Sequence, residues 1–225
     1  MRAMILAAGL GTRMRPLTDH TPKPLLEAGG KALLGWHIER LVAAGYRELV
    51  VNASHLAEQV VEYCGDGSAW GASIVVSREL EPLETAGGIV QALPLLGSEP
   101  FLVINGDVWT DYPFERVMAS PPAPGAARLV LVDNPPQHPL GDFRLEAGRV
   151  CRREGDAAGF TFSGIAVYSP EFFAGLEPGV VPLRPLFERA IAEGRLSGEH
   201  YKGHWHDIGT PERLAALDRL LKRGG

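Results

Sequence analysis

Arg13, Arg15 and Lys23 fall close together in a stretch that also holds Gly9, Gly11 and Thr12. Cations beside a glycine-bearing turn make an anion site, because backbone N–H groups and fixed positive charge converge there. Arginine offers forked donors that match phosphate oxygens, and lysine a compact point charge. Lys23 stands between Pro22 and Pro24, which restrict its backbone and fix where the ammonium is offered. Gly9 and Gly11 permit positive φ and close approach of the backbone, while the Thr12 hydroxyl can cap or bind. Such a stretch suits a polyphosphate; an ordinary strand-to-helix turn with surface arginines is the alternative.

A polyphosphate site also needs hard oxygen ligands for a cation such as Mg²⁺, and two aspartates stand at the ends of other runs. Phe101-Leu-Val-Ile-Asn105-Gly106-Asp107 reads as a buried strand delivering Asn105 and Asp107 to its exit, with Gly106 allowing a tight turn. Asp111 is expected to cap a helix beginning at Tyr112-Pro113. Tyr201 to His206 reads as a strand ending at Asp207, and Thr210-Pro211 opens a helix in the favoured cap-then-proline order. Trp205 and Asp207 then share a face, with His204 and His206 opposite. His204 and His206, with His200 nearby, have no suitably spaced further ligand for zinc, and a half-buried strand explains them better.

Strands and helices must carry these groups to one place. Ala3 to Ala8 is a compact apolar run of the kind a buried first strand shows. Leu33, Leu34, His37, Ile38, Leu41 and Val42 recur at helical spacing before Gly45, and Leu49-Val50-Val51 follows as a strand. A second helical pattern with Val60, Val61 and Tyr63 precedes the strand Ile74-Val75-Val76. This alternation predicts an α/β fold, a Rossmann-like, mostly parallel sheet flanked by helices on both faces in three layers, with ligands at the carboxyl ends of strands.

The 225 residues, 45% hydrophobic and 22% charged, predict one domain spanning 1–225. The formal charge of −5 gives no overall attraction to nucleic acid or an anionic membrane, so neither is expected as a partner. Cys64 and Cys151 are too few for a disulfide framework, the opening apolar run is too short for a targeting segment, and no stretch approaches a bilayer span. A cytoplasmic protein is expected.

Two familiar phosphate motifs do not fit. The dinucleotide fingerprint wants a third glycine where Met14 stands, and Gly30-Lys31 is followed by Ala32 rather than Ser or Thr. Instead, Leu6-Ala-Ala-Gly-x-Gly-Thr-Arg-Met-Arg-Pro-Leu-Thr18 with Pro22-Lys-Pro-Leu25 resembles the signature of the sugar-1-phosphate nucleotidyltransferases. The resemblance implies that Ala8, Gly9, Gly11, Thr12, Arg13 and Lys23 hold the triphosphate of a nucleoside triphosphate. It further implies that Asp107 and Asp207 hold magnesium between the substrate phosphates. Glu81 to Ile89 resembles the family's base-and-ribose loop, with Thr85 capping a helix from Gly88 to Ala92, Gly87 and Gly88 leaving room for a flat base, and Asn105 also on the nucleotide.

On the sugar side the resemblance points to Gly141, Asp142, Glu154, Ser163 and Gly164. The family's Glu-Lys-Pro lysine for the sugar phosphate has no counterpart, leaving Lys202 or Arg153 as substitutes. Glu81-Pro-Leu-Glu-Thr, Asn105-Gly-Asp-Val-Trp-Thr-Asp111, Gly141-Asp-Phe-Arg and Ser197 to Trp205 are most similar to the branch that joins UTP to N-acetylmuramic acid 1-phosphate in cell-wall recycling. The expected products are a UDP-sugar and pyrophosphate, from a monomer or small homo-oligomer without a C-terminal repeat domain. Muramate's carboxylate would want Arg144, His138 or Lys202. A guanylyltransferase for mannose or heptose 1-phosphate is the alternative within the class, and a non-catalytic sugar-nucleotide sensor or a dinucleotide-dependent oxidoreductase the alternatives outside it.

Overall fold

Ala3, Met4 and Ile5 are wholly buried because β1 (Ala3–Leu6) has a parallel neighbour on each side and a packed core on each face. A strand covered on both faces has no polar position, which is why the run is uninterrupted. The computed structural model describes residues 1–223. After β1 come a small hairpin, β2 (Glu27–Ala28) and β3 (Lys31–Ala32), then α1 (Leu33–Ala43), β4 (Glu48–Ala53), α2 (Ala57–Cys64) and β5 (Ser73–Arg78). The chain continues through α3 (Glu84–Leu96), β6 (Phe101–Asn105), β7 (Val108–Thr110), α4 (Glu115–Met118), β8 (Ala127–Val132), β9 (Phe143–Glu146), β10 (Arg149–Arg152) and β11 (Thr161–Tyr168). It closes with α5 (Arg184–Ala192), β12 (Leu196–Tyr201), β13 (Trp205–Asp207) and α6 (Pro211–Arg223).

Nine strands form one sheet in the order β5-β4-β1-β6-β11-β8-β12-β10-β9. β5, β4, β1 and β6 pair in parallel, as does β12 with β8, whereas β11 runs against both neighbours and β10 against β12 and β9. The sheet is therefore mixed, though most strands share one direction. One face packs on Leu34, Ile38 and Leu41 of α1 and Val60 of α2, the other on Ile89 of α3 and Phe187 of α5. Alternate residues of each strand divide between the two cores, giving three layers.

A third apolar cluster joins Leu214 and Leu217 of α6 to Met14, Leu26, Leu33 and Ile208. Met14 is wholly buried there, so the residue that breaks the dinucleotide fingerprint anchors the glycine turn to the last helix. Three local expectations need correction. The stretch Tyr201 to His206 is not one strand: β12 ends at Tyr201 in the main sheet, and β13 pairs antiparallel with β7 in a separate ribbon. Asp111 caps nothing; α4 starts at Glu115, and the Asp111 carboxylate accepts a hydrogen bond from the Tyr201 hydroxyl. Thr85 lies inside α3, which starts at Glu84 without a side-chain cap.

Candidate active site

The turn after β1 is fixed from both sides of the strand. Ala7 N–H donates to the buried Asn52 side-chain Oδ1 at 2.7 Å, and Gly106 N–H donates to Leu6 O at 2.8 Å. Gly11 takes φ +63°, and a Cβ there would lie 2.9 Å from Thr18 Cγ2. The Thr18 hydroxyl donates back to Gly11 O at 2.8 Å, and Met14 N–H to the same oxygen at 2.8 Å. Gly9 is different. It has no positive φ, and a Cβ on it would meet nothing within 4 Å, so the fold makes no demand for glycine there and the space belongs to the cleft.

That cleft has a cavity volume of about 420 Å³. Ala8, Gly9, Gly11, Thr12, Arg13, Lys23, Thr85, Asn105 and Asp107 all line it. Arg15 does not; it pairs with Asp19 at 3.3 Å on the surface. Lys23, in a single turn between its prolines, is 8% exposed and donates from Nζ to Asp107 Oδ2 at 2.6 Å. A largely desolvated ammonium held on a carboxylate is a strong directional contact. It brings the cation turn and the β6 exit to one point.

The ribbon brings Asp207 beside the β6 exit, where it lines a second cavity rather than this cleft. β13 pairs with β7 so that Asp207 is opposite Val108, and Ile208 N–H donates to Asp107 O at 2.8 Å. The hundred residues between the two aspartates are thus spanned by one two-stranded contact. Gly106 permits it, since a Cβ there would stand 2.7 Å from Leu6 O. The Asp207 carboxylate accepts from Arg213 of α6, and Gly209, two residues on, lines the cleft. Among the described residues no three His, Cys, Asp or Glu side chains gather to hold a metal by themselves. The histidines diverge: His206 lies against the Trp109 ring with its pKa lowered by burial, and His200 pairs with Asp133 and stacks on Phe160.

The opposite wall holds two residues that sequence reasoning missed. Asn52, at the exit of β4, donates to Glu79 Oε1 at 2.6 Å, and Glu79 Oε2 accepts from Leu83 N–H at 3.1 Å. Both are buried and both line the cleft. Their signal was available: each follows an apolar run, Leu49-Val50-Val51 and Ile74-Val75-Val76, as Asn105 follows its own. Gly87 and Gly88 do not line the cleft. A Cβ on Gly87 would collide with the Gly179 carbonyl, and one on Gly88 would stand 2.6 Å from Glu79 Oε1 and 2.8 Å from Asn52 Nδ2. Gly87 thus lets α3 pass the Gly179 backbone, and Gly88 seats the helix on the Asn52–Glu79 network.

The sugar-side candidates divide differently from expectation. None of Gly141, Asp142, Glu154, Ser163, Gly164 and Lys202 lines the cleft or a second cavity of about 390 Å³ beside Asp207, Trp205 and Arg213. Asp142 accepts from Phe162 N–H at 2.9 Å and contacts His138 at 3.1 Å, while Gly141, at φ +68°, lets the chain pass the Phe160 backbone. Ser163 is wholly buried: its hydroxyl donates to Val130 O and accepts from Ile165 N–H at the β11 bulge. Gly164 packs on Asn105, which a Cβ would approach to 2.7 Å, so it touches the cleft wall indirectly. Glu154 and Lys202 are exposed. Trp205 Nε1 donates to Ser163 O at 2.8 Å, tying the ribbon to the bulge.

The profile of the family described as Nucleotidyl transferase matches residues 2–145, which hold the cation turn and Asp107. The chain belongs to this family. Over 226 aligned residues it is 51% identical to N-acetylmuramate alpha-1-phosphate uridylyltransferase of Neisseria meningitidis serogroup B, covering 98% of both chains. It is 39% identical to the Caulobacter vibrioides protein of the same name, covering 98% of this chain and 97% of that one. Among solved structures, HddC from Yersinia pseudotuberculosis complexed with GMP-PN superposes with a TM-score of 0.82 at 23% identity, over 98% and 99% of the two chains. At that identity the likeness is one of fold. Membership of the family makes the protein an enzyme that transfers nucleotidyl groups, and the sensor and oxidoreductase alternatives fall away.

Proposed function

We propose that this enzyme transfers the uridylyl group of UTP to N-acetylmuramic acid 1-phosphate, giving the UDP-sugar and pyrophosphate, in the recycling of cell-wall sugar. The Lys23–Asp107 contact carries the catalytic part, because it sets a phosphate-binding cation and a metal-binding carboxylate against each other in the cleft. The choice of base and sugar rests on the near full-length likeness to the two uridylyltransferases.

An oxygen of the sugar 1-phosphate attacks the α-phosphorus, the bond from that phosphorus to the bridging α–β oxygen breaks, and pyrophosphate departs with the electron pair. No side-chain nucleophile is needed. The turn from Ala8 to Thr12 binds phosphates through backbone N–H groups, and Arg13 and Lys23 stabilise the charge that grows on the leaving pyrophosphate. Asp107 and Asp207 would hold Mg²⁺, which neutralises charge on the reacting phosphates. Asp107, one residue before β7, lines the cleft, and Asp207, at the end of β13, pairs with Val108 beside it; two carboxylates with phosphate oxygens are the hard donor set that ion takes. Thr85 and Asn105 position the nucleoside from the cleft walls. The protein acts in the cytoplasm as one domain over residues 1–225.

Pyrophosphate release measured across UTP, GTP, CTP and dTTP with a panel of sugar 1-phosphates tests this. UTP with N-acetylmuramic acid 1-phosphate is expected to give the highest kcat/KM. A preference for GTP with mannose 1-phosphate would overturn the base and sugar, and absence of pyrophosphate release with every pair would overturn the reaction.

A further inference from the structure

Asp207 ends a strand of three residues and would be free to rotate were its carboxylate not held. Arg213 holds it. The guanidinium donates from Nη1 to Asp207 Oδ2 and lies 3.4 Å from the Asp207 carbonyl oxygen. A Cβ on Gly209 would stand 2.8 Å from Arg213 Nη2 and 3.2 Å from Asp207 Oδ1. The guanidinium therefore crosses the Gly209 backbone: Asp207 and Arg213 both line the second cavity, while Gly209, against which Oδ1 lies, lines the cleft.

Arg213 is itself fixed. Its N–H faces the Thr210 hydroxyl at 3.4 Å, its helix buries Leu214 and Leu217, and Asp218 of that helix accepts from Gly29 N–H at 2.9 Å. A side chain on an anchored helix places its partner more closely than one on a loop. Lys23 and Arg213 hold the two carboxylates by different routes. Lys23 lines the triphosphate cleft and can exchange Asp107 for phosphate oxygens; Arg213 lines the second cavity together with Asp207.

We infer that Arg213 is a positioning residue: it clamps Asp207 Oδ2 so that Oδ1 is presented to the metal that the bound nucleotide brings. The inference rests on the reading of Asp207 as a metal ligand given above. Groups that orient a metal ligand typically change metal affinity by about 10–100-fold when removed.

The test uses the full chain with Mn²⁺ as probe, its binding followed by the loss of the free-ion electron paramagnetic resonance signal in the presence of UTP. Arg213→Met is expected to weaken Mn²⁺ binding to the UTP complex by at least tenfold. UTP affinity in EDTA should stay within about twofold of wild type, and Arg213→Lys should recover part of the loss. Arg213→Met that binds Mn²⁺ as wild type does would overturn the inference. So would a loss of UTP affinity in EDTA equal to the loss with metal, which marks a collapsed helix start rather than a misdirected ligand. If Arg213→Met does not fold, Arg213→Lys decides: wild-type Mn²⁺ affinity overturns the inference, and intermediate affinity supports it. Failure of the uridylyl-transfer reading is told apart by the wild-type assay, since an enzyme preferring another nucleotide or sugar leaves the Mn²⁺ comparison intact.

Discussion

His37 is 3% exposed in α1, hydrogen-bonds the Val108 backbone, and has no partner for Nε2 among the described residues. Burial pushes its pKa down from 6.5 to about 4; Asp107 opposes that shift and Arg40 adds to it. The fold therefore favours the neutral ring. Between the two pKa values the unfolded chain binds a proton that the folded chain refuses, so stability is complete above about pH 6.5 and is lost as pH falls toward 4. The difference amounts to about 2 kcal/mol at about pH 5, and about 3 kcal/mol once both forms are protonated. Urea unfolding of wild type and His37→Gln at about pH 7.5 and pH 5 isolates this contribution, because other groups titrate alike in both. The wild-type free energy should fall by about 2 kcal/mol more than that of the variant. His206 shifts in the same direction but cancels in the comparison. Parallel pH dependences of the two proteins would refute the reasoning.

Lys23→Met should lower kcat by about 10²–10³-fold, measured as pyrophosphate release, since one preorganised electrostatic contact is lost. A loss under fivefold would remove Lys23 from the catalytic set. Asn52→Ala leaves Ala7 N–H and Glu79 Oε1 unpaired in a buried place and should cost on the order of 3 kcal/mol in urea unfolding. Gly164→Ala, at φ +79° and against Asn105, should destabilise by about 1–3 kcal/mol and raise the UTP KM; an unchanged KM would separate Gly164 from the nucleotide side.

Much of the site was legible because parallel central strands are apolar on both faces and expose their ligands at one end. Leu6, Asn105 and Asp107 sit where that rule puts them, and the same rule applied to β4 and β5 would have found Asn52 and Glu79. What stayed hidden depends on pairing between distant segments. Nothing local in Thr161–Tyr168 says that β11 runs against β6 and β8, and the bulge that buries Ser163 is a register shift visible only against its partner. The packing of Gly87 and Gly88 was hidden for a related reason: a glycine that admits a ligand and one that admits neighbouring protein atoms look alike in sequence. Arg213 carries no motif, and its contact to Asp207 depends on where α6 starts.

The β7–β13 ribbon also sets an order of events during synthesis. The turn after β1 and Asp107 leave the ribosome early, whereas Asp207 follows a hundred positions later, a lag of roughly 5–20 s at about 5–20 residues per second. A nascent chain can pair β1, β4, β5 and β6 in that interval, yet its ribbon is half-built and Met14 lacks the helix that buries it. The ribbon beside the cleft is thus a late product of translation, closed by the segment from Trp205 to Leu217, and a chain interrupted before that point holds Lys23 and Asp107 without the strand that brings Asp207 beside Val108.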